Sequence, residues 1–165
     1  MGAKKNGNSG VKFRDCFIEW REAPDMYRAI DLSRYIVSKC IRDRHPISNL
    51  QLQKILYYIQ KDFLNRGDAA FSDDIEAWPF GPVVPNVYYH YCGYGAMPIT
   101  SSYGEADIAY DDRKVVDSIV ESKRVLDPWV MVAETHKENG AWYQTYHNRL
   151  ENGKVISWDL IRMVG

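Results

Sequence analysis

The sequence predicts a mainly α-helical fold, a compact bundle of about five to six helices with a short β strand or hairpin and a rigid Trp-Pro-Phe-Gly-Pro corner. Three observations predict it. Apolar residues recur at helical spacing in several separate segments. One of these segments, residues 48–67, carries a full set of helix start and stop signals. Between the helical segments, residues 75–88 hold a Trp, a Phe, three prolines and a glycine, which no helix continues through.

In chain order, residues 1–25 read as a polar N-terminal extension, expected to be partly disordered, and residues 26–165 as a single domain. Within the extension, residues 11–20 carry Val11, Phe13, Phe17, Ile18 and Trp20 and read as a short docked segment of ambiguous period. The first helix begins near Asp25, a plausible N-cap. Its stripe is Met26, Ala29, Ile30, Ser33, Val37, Cys40 and Ile41, and the charged run Arg42-Asp43-Arg44 with Pro46 ends it. In the second helix Ser48 and Gln51 form a capping box, Ile47 and Leu52 a hydrophobic staple, and Gly67 a C-cap. Leu52, Ile55, Leu56, Ile59 and Phe63 make the core-facing stripe, with Lys54 and Lys61 expected in solvent.

Residues 73–78 alternate well enough for one short strand. Val84, Val87, Tyr88 and Tyr91 mark a third helix, with Pro82 or Pro85 in its first turn and Gly93 and Gly95 ending it. Residues 96–110 read as a loop. Asp111 or Asp112 opens a fourth helix holding Val115, Val116, Ile119 and Leu126, with Lys123 and Arg124 suiting its C-terminal dipole. Asp127-Pro128 restarts the chain, with Trp129, Val132, Ala133 and His136 as one helix face closed by Gly140. A turn at Asn152-Gly153 and a short last helix capped by Ser157 follow.

Each proline of the corner fixes its own φ and biases the residue before it, so Trp78, Gly81 and Val84 should be extended or in turns. Gly81 can take backbone angles closed to other residues. Two readings stand: a corner that pins Trp78 into the core, and a preshaped recognition surface. They are compatible if one ring points in and another out.

Hydrophobic residues make up 45% and charged residues 26% of the chain, with 21 basic against 22 acidic side chains. A net charge of −1 gives no global pull toward nucleic acid or an acidic membrane. No apolar run approaches the ~20 residues that span a bilayer, and the first ten residues lack a signal-peptide core. The three cysteines, Cys16, Cys40 and Cys92, form no CxxC pair and suit a reducing, cytoplasmic setting. The twelve tyrosines and five tryptophans include candidate surface anchors.

The histidines, His45, His90, His136 and His147, show no zinc spacing, so no metal and no organic cofactor is expected. His136 lies beside Glu134 and Glu138 and reads either as a general base or as a structural tie to the Trp142 segment. The acidic pairs Asp73-Asp74 and Asp111-Asp112 have structural uses at a strand edge and a helix start as well as a catalytic reading. No P-loop, GxGxxG or GxSxG occurs, and Gly93-Tyr94-Gly95 is too short to cradle a phosphate. Arg and Lys are dispersed, so direct nucleic-acid binding is not expected.

Three stretches carry a family resemblance. The first is Leu50-Gln51-Leu52-Gln53-Lys54-Ile55-Leu56-Tyr57-Tyr58-Ile59-Gln60. The second is Trp78-Pro79-Phe80-Gly81-Pro82-Val83-Val84-Pro85-Asn86-Val87-Tyr88. The third is Thr135-His136-Lys137-Glu138 with Trp142. In order and spacing they resemble the SocA-like antitoxins, also called the Panacea domain and related to the phage-associated GepA proteins. The resemblance runs from about Met26 to Ile161, most of the chain. It implies a helical antitoxin that neutralises a partner protein toxin by direct contact and has no catalytic residue. It marks Gln53, Lys54, Tyr57, Trp78, Gly81, Pro82, Val83, His136 and Trp142 as motif positions, structural or functional. Against the larger members, the extension before residue 26 reads as too short for a helix-turn-helix, and no C-terminal extension is expected after Gly165. Operator binding is therefore not expected, while a homo-oligomer is left open.

The candidate partner contacts are Phe80, Tyr88, Tyr89, Tyr91 and Tyr94. Helical geometry puts Tyr88 and Tyr91 on the core stripe and Tyr89 off it, and Pro79 and Gly81 hold Phe80 outward. The alternative is that all five rings fill the core. Two other functions compete: a phage or prophage accessory protein that binds a host factor, and a small hydrolase using His136 with an acid such as Glu134.

Overall fold

The computed structural model describes residues 26–104, 106–146 and 153–165. Its helices are α1 (Ala29–Arg42), α2 (Asn49–Arg66), α3 (Pro85–Tyr91), α4 (Tyr110–Lys123), α5 (Pro128–Thr135), α6 (Ala141–Thr145) and α7 (Trp158–Val164). Its strands are β1 (Glu76–Trp78), β2 (Gly81–Val83) and β3 (Lys154–Val155), and a 3-10 turn, Cys92–Tyr94, follows α3. The fold is mainly helical with one small antiparallel sheet, as the sequence predicts.

α2 is the axis. The Ser48 hydroxyl accepts from the Gln51 amide at 3.3 Å, and the Gln51 side-chain oxygen accepts from the Ser48 amide at 3.0 Å. This reciprocal cap starts the helix, and Gly67 stops it in the left-handed region at φ +115°. Leu52, Ile55, Leu56, Ile59 and Phe63 are all buried. So is much of the opposite side, because α1, α3, α4, α5, α7 and β2 all pack around this one helix. That enclosure corrects the expectation for Lys54, which lies in the core rather than in solvent. A three-and-four stripe marks the most apolar face of a helix, but it does not reveal that the other faces are covered too.

α1 has no capping side chain of its own. Instead the Asp73 carboxylate accepts from the Ala29 amide at 2.9 Å, a cap delivered from 44 residues away. Asp25, the expected cap, lies outside the described residues, as do residues 11–20. Met26 precedes the helix and is exposed, so the buried stripe starts at Ala29 and continues through Ser33, Val37 and Cys40. Tyr27 donates to Asp112 in the first turn of α4 at 2.6 Å and Tyr35 to Asp117 at 2.6 Å, which ties α4 across α1. Asp73 and Asp112, one from each acidic pair, thus hold the fold together.

β1 and β2 form a two-residue hairpin over Pro79 and Phe80, pairing Glu76 with Val83, Ala77 with Pro82 and Trp78 with Gly81. β3 adds to the other edge of β1, with Glu76 opposite Val155. Pro85 occupies the first turn of α3, where its missing N–H costs nothing. α5 departs from its expected face. Met131, Val132 and Thr135 are buried, while Trp129 and Ala133 face solvent. The Asp127 cap holds, its carboxylate accepting from the Trp129 amide at 2.8 Å. Gly140 does not close α5 but starts α6, a single turn that carries Trp142. Of the expected turn at Asn152-Gly153, Asn152 lies outside the described residues and Gly153 has φ +88°. Ser157 caps α7, accepting from the Leu160 amide at 3.3 Å.

Candidate functional site

The three motif stretches converge on one junction beneath the β1–β2 hairpin. From α2, Gln53 and Lys54 reach the hairpin backbone. The Gln53 side-chain oxygen accepts from the Val84 amide at 2.9 Å while its nitrogen donates to Asn49 at 3.0 Å. Lys54 is 0% exposed, and its amine donates to the carbonyl of Pro82 at 3.0 Å. Among the described residues no carboxylate pairs with it. Burial alone pushes its pKa from 10.5 down to about 7. About two turns further along α2, Gln60 does the same job on another segment, accepting from the amides of Ala70 and Phe71 and donating to the carbonyl of Phe71.

Gly81 lies over this amine. It has φ +106°, and a Cβ there would fall 2.7 Å from the Thr135 hydroxyl and 2.9 Å from both Lys54 Cε and Nζ. Only glycine lets the hairpin settle onto the lysine and threonine. Pro82 and Val83 beside it are buried. Thr135, at the end of α5, donates to the carbonyl of Val132 at 2.9 Å.

His136 follows at the C-cap of α5, and its ring lies flat on Trp142, with centroids 3.6 Å apart and planes 6° apart. Trp142 in turn stacks on Tyr146 and donates its indole N–H to the carbonyl of Trp78 at 2.8 Å. The late motif is therefore a stacked column bonded to the last residue of β1. Burial, and then the positive charge of Lys54, lower the His136 pKa from its ordinary value. Glu134 does not serve His136. It accepts from Tyr58 at 2.7 Å and from Lys123 at 2.8 Å, and these two partners hold its pKa below the usual range. Tyr57, buried beside Tyr58, has its phenol pushed up to about 12 by desolvation.

On its outer side the hairpin presents rings. Phe80 is 56% exposed and meets Trp129, itself 58% exposed, edge to face at 5.4 Å and 88°. Trp78 is half-buried, with its indole N–H donated to Glu76 at 2.8 Å. Its ring meets Tyr88 at 4.9 Å and Tyr89 at 6.0 Å, and Tyr89 is 63% exposed. Tyr88 is half-buried. Tyr94, in the 3-10 turn, is half-buried with its hydroxyl 2.5 Å from that of Ser101. Tyr91 is a core residue, 1% exposed, and presents no ring to the surface, which removes it from the candidate contacts. Trp129 was missed because its spacing to Val132 and His136 suggested a core face. The better signal was Met131, Val132 and Thr135, which leaves Trp129 outward in the first turn.

Among the described residues no group of His, Cys, Asp or Glu is placed to hold a metal ion. Nor, among them, is any helix long and apolar enough to cross a membrane.

The chain is thus a helical domain whose central helix grips a small hairpin through buried polar side chains. A family model described as "Antitoxin SocA-like, Panacea domain" matches residues 52–143, more than half of the chain, and the chain belongs to that family. The match takes in all but the first two residues of the first motif and all of the other two up to Trp142. The chain is also similar to Antitoxin SocA of Caulobacter vibrioides (strain NA1000 / CB15N), at 30% identity over 110 residues, which cover 59% of this chain and 58% of that protein. The chain therefore spans less than two thirds of that relative's length. No solved structure matches it.

Proposed function

We propose that this protein is an antitoxin that neutralises a partner protein toxin in the cytoplasm by stoichiometric binding, with the exposed aromatic surface of the hairpin, α3 and the start of α5 as the contact. The observation that carries the reading is the Phe80–Trp129 pair: two large rings, each more than half exposed, held edge to face on stiff backbone. Phe80 sits in a two-residue turn between Pro79 and Gly81, and Trp129 follows Pro128 behind a capped helix start. Rings fixed in advance lose little entropy on binding, and such anchors commonly dominate interface energy. Membership of a family named for an antitoxin points the same way.

The junction beneath is read as scaffold rather than as a catalytic centre. Lys54 is sealed from solvent, His136 is packed flat on Trp142, and the acid a hydrolase would pair with His136 is engaged by Tyr58 and Lys123. The reading is tested by co-expression with the cognate toxin. Phe80→Ala, Tyr89→Ala and Trp129→Ala should each weaken growth rescue while the melting temperature holds. Full rescue by all three would place the contact elsewhere.

A further inference from the structure

We propose that the aromatic surface takes a basic, arginine-bearing segment of its partner rather than an acidic or purely apolar one. The inference rests on the reading of this surface as the partner contact, and it adds the chemistry of what binds there.

The argument is one of charge and π-faces. From Trp78 to Tyr91 the chain carries no Lys, Arg, Asp or Glu, and its only titratable side chains besides tyrosines belong to His90. α5 carries a single charge, Glu134, which is turned inward to Tyr58 and Lys123. The charges that flank the surface in sequence are carboxylates. Asp127 is exposed two residues before Trp129, and Glu76, three residues before the hairpin turn, accepts the Trp78 indole N–H. Among the described residues the neighbouring cations are directed elsewhere. Lys123 binds Glu134 and Arg124 binds Asp43. Lys154 stands opposite Ala77, and strand alternation puts it on the other face of the sheet from Trp78. Lys137 lies beyond the far end of α5, about 12 Å along its axis from Trp129.

The rings meet edge to face: Phe80 with Trp129, and Trp78 with both Tyr88 and Tyr89. An edge-to-face pair leaves ring faces that the pair itself does not cover, and Phe80, Trp129 and Tyr89 are each more than half exposed. A guanidinium is attracted to such faces, stacks flat on them, and pairs with a carboxylate in the same plane. An acidic segment would meet Asp127 and Glu76 as like charges. A purely apolar one would bury the Asp127 charge with only the Trp129 amide beside it and no cation.

The test titrates the 165-residue chain with three helical peptides of about 15 residues, built on one Leu/Ala framework with Arg, Gln or Glu at the same positions. Tryptophan fluorescence and the indole N–H resonances of Trp78 and Trp129 report binding. The arginine peptide should bind at least tenfold more tightly than the glutamate peptide, with the glutamine peptide between them. Its affinity should fall with added salt, and severalfold in Trp129→Ala and Phe80→Ala. Asp127→Ser keeps a capping oxygen while removing the charge, so it should weaken the arginine peptide without unfolding α5. Equal binding of the three peptides, binding of none, or an arginine affinity indifferent to Phe80→Ala and Trp129→Ala overturns the proposal. If those two variants still lose toxin rescue, only the partner chemistry is wrong. If they rescue fully, the surface reading falls with it.

Discussion

The Lys54 amine lies 3.0 Å from the carbonyl oxygen of Pro82, and through that bond the central helix carries the hairpin that presents Phe80. No carboxylate among the described residues shares the site, so the amine is held by one carbonyl in a sealed environment. That environment has a measurable pH signature. An unfolded lysine titrates near 10.5, and burial brings Lys54 to about 7. Between those values the unfolded chain binds a proton that the folded chain has released, so stability rises with pH across that window. The lowered pKa of His136 acts in the same direction below its ordinary 6.5. Tyr27, Tyr35 and Tyr57 are pushed from 10.0 to about 12, so above pH 10 the unfolded chain loses protons first and stability falls. Urea midpoints should therefore climb from neutral pH to a maximum near pH ~9–10 and then drop. In Lys54→Met the climb should flatten. Profiles of the same shape for both proteins would show that Lys54 stays charged in the fold.

Gly81 is fixed by both its backbone angle and its neighbours. Gly81→Ala should cost about 2–4 kcal/mol, combining positive-φ strain with overpacking against Thr135 and Lys54. Gly93→Ala is the control, since nothing lies within 4 Å of a Cβ there. Chemical denaturation separates the two, and equal small losses would mean the hairpin rides free of the helix.

Much of this was legible in the sequence, and the part that was not has a common cause. The Ser48 and Gln51 cap, the Gly67 stop, the α2 stripe and the positive φ of Gly81 are local matters, set by residues a few positions apart. What escaped was non-local. Asp73 caps α1 from 44 residues away, Lys54 is buried only because other elements close over it, and Trp129 faces out because Met131 and Val132 take the core. At the candidate site, Phe80 and Tyr89 stand exposed where rigid flanks and helical phase put them. Tyr91 is buried, as that same phase implies.

The stacked column makes Trp142, rather than Trp78, the more costly tryptophan to lose. Trp142 is buried between His136 and Tyr146 and also donates to Trp78. Its Ala variant should lose about 3–5 kcal/mol, the range for deleting a large core aromatic. Trp78→Ala, half-buried, should lose about 1–3 kcal/mol. The reverse order in urea denaturation would mean that the column is peripheral to stability.

Gln60 satisfies three backbone groups with one side chain. Gln60→Leu leaves the amides of Ala70 and Phe71 unpaired in the core and should cost about 3 kcal/mol or more. Hydrogen exchange should show those two amides losing protection first. Unchanged protection would mean that other groups take over the bonds.

The central claim is that the partner toxin docks on the exposed rings while the buried junction only holds them in place. Calorimetric titration of the purified toxin into wild type and into the Phe80→Ala/Trp129→Ala double variant tests it most directly. Loss of two hot-spot rings should weaken binding by about thirtyfold or more, with the melting temperature unchanged. Undiminished affinity in a folded double variant would contradict the account.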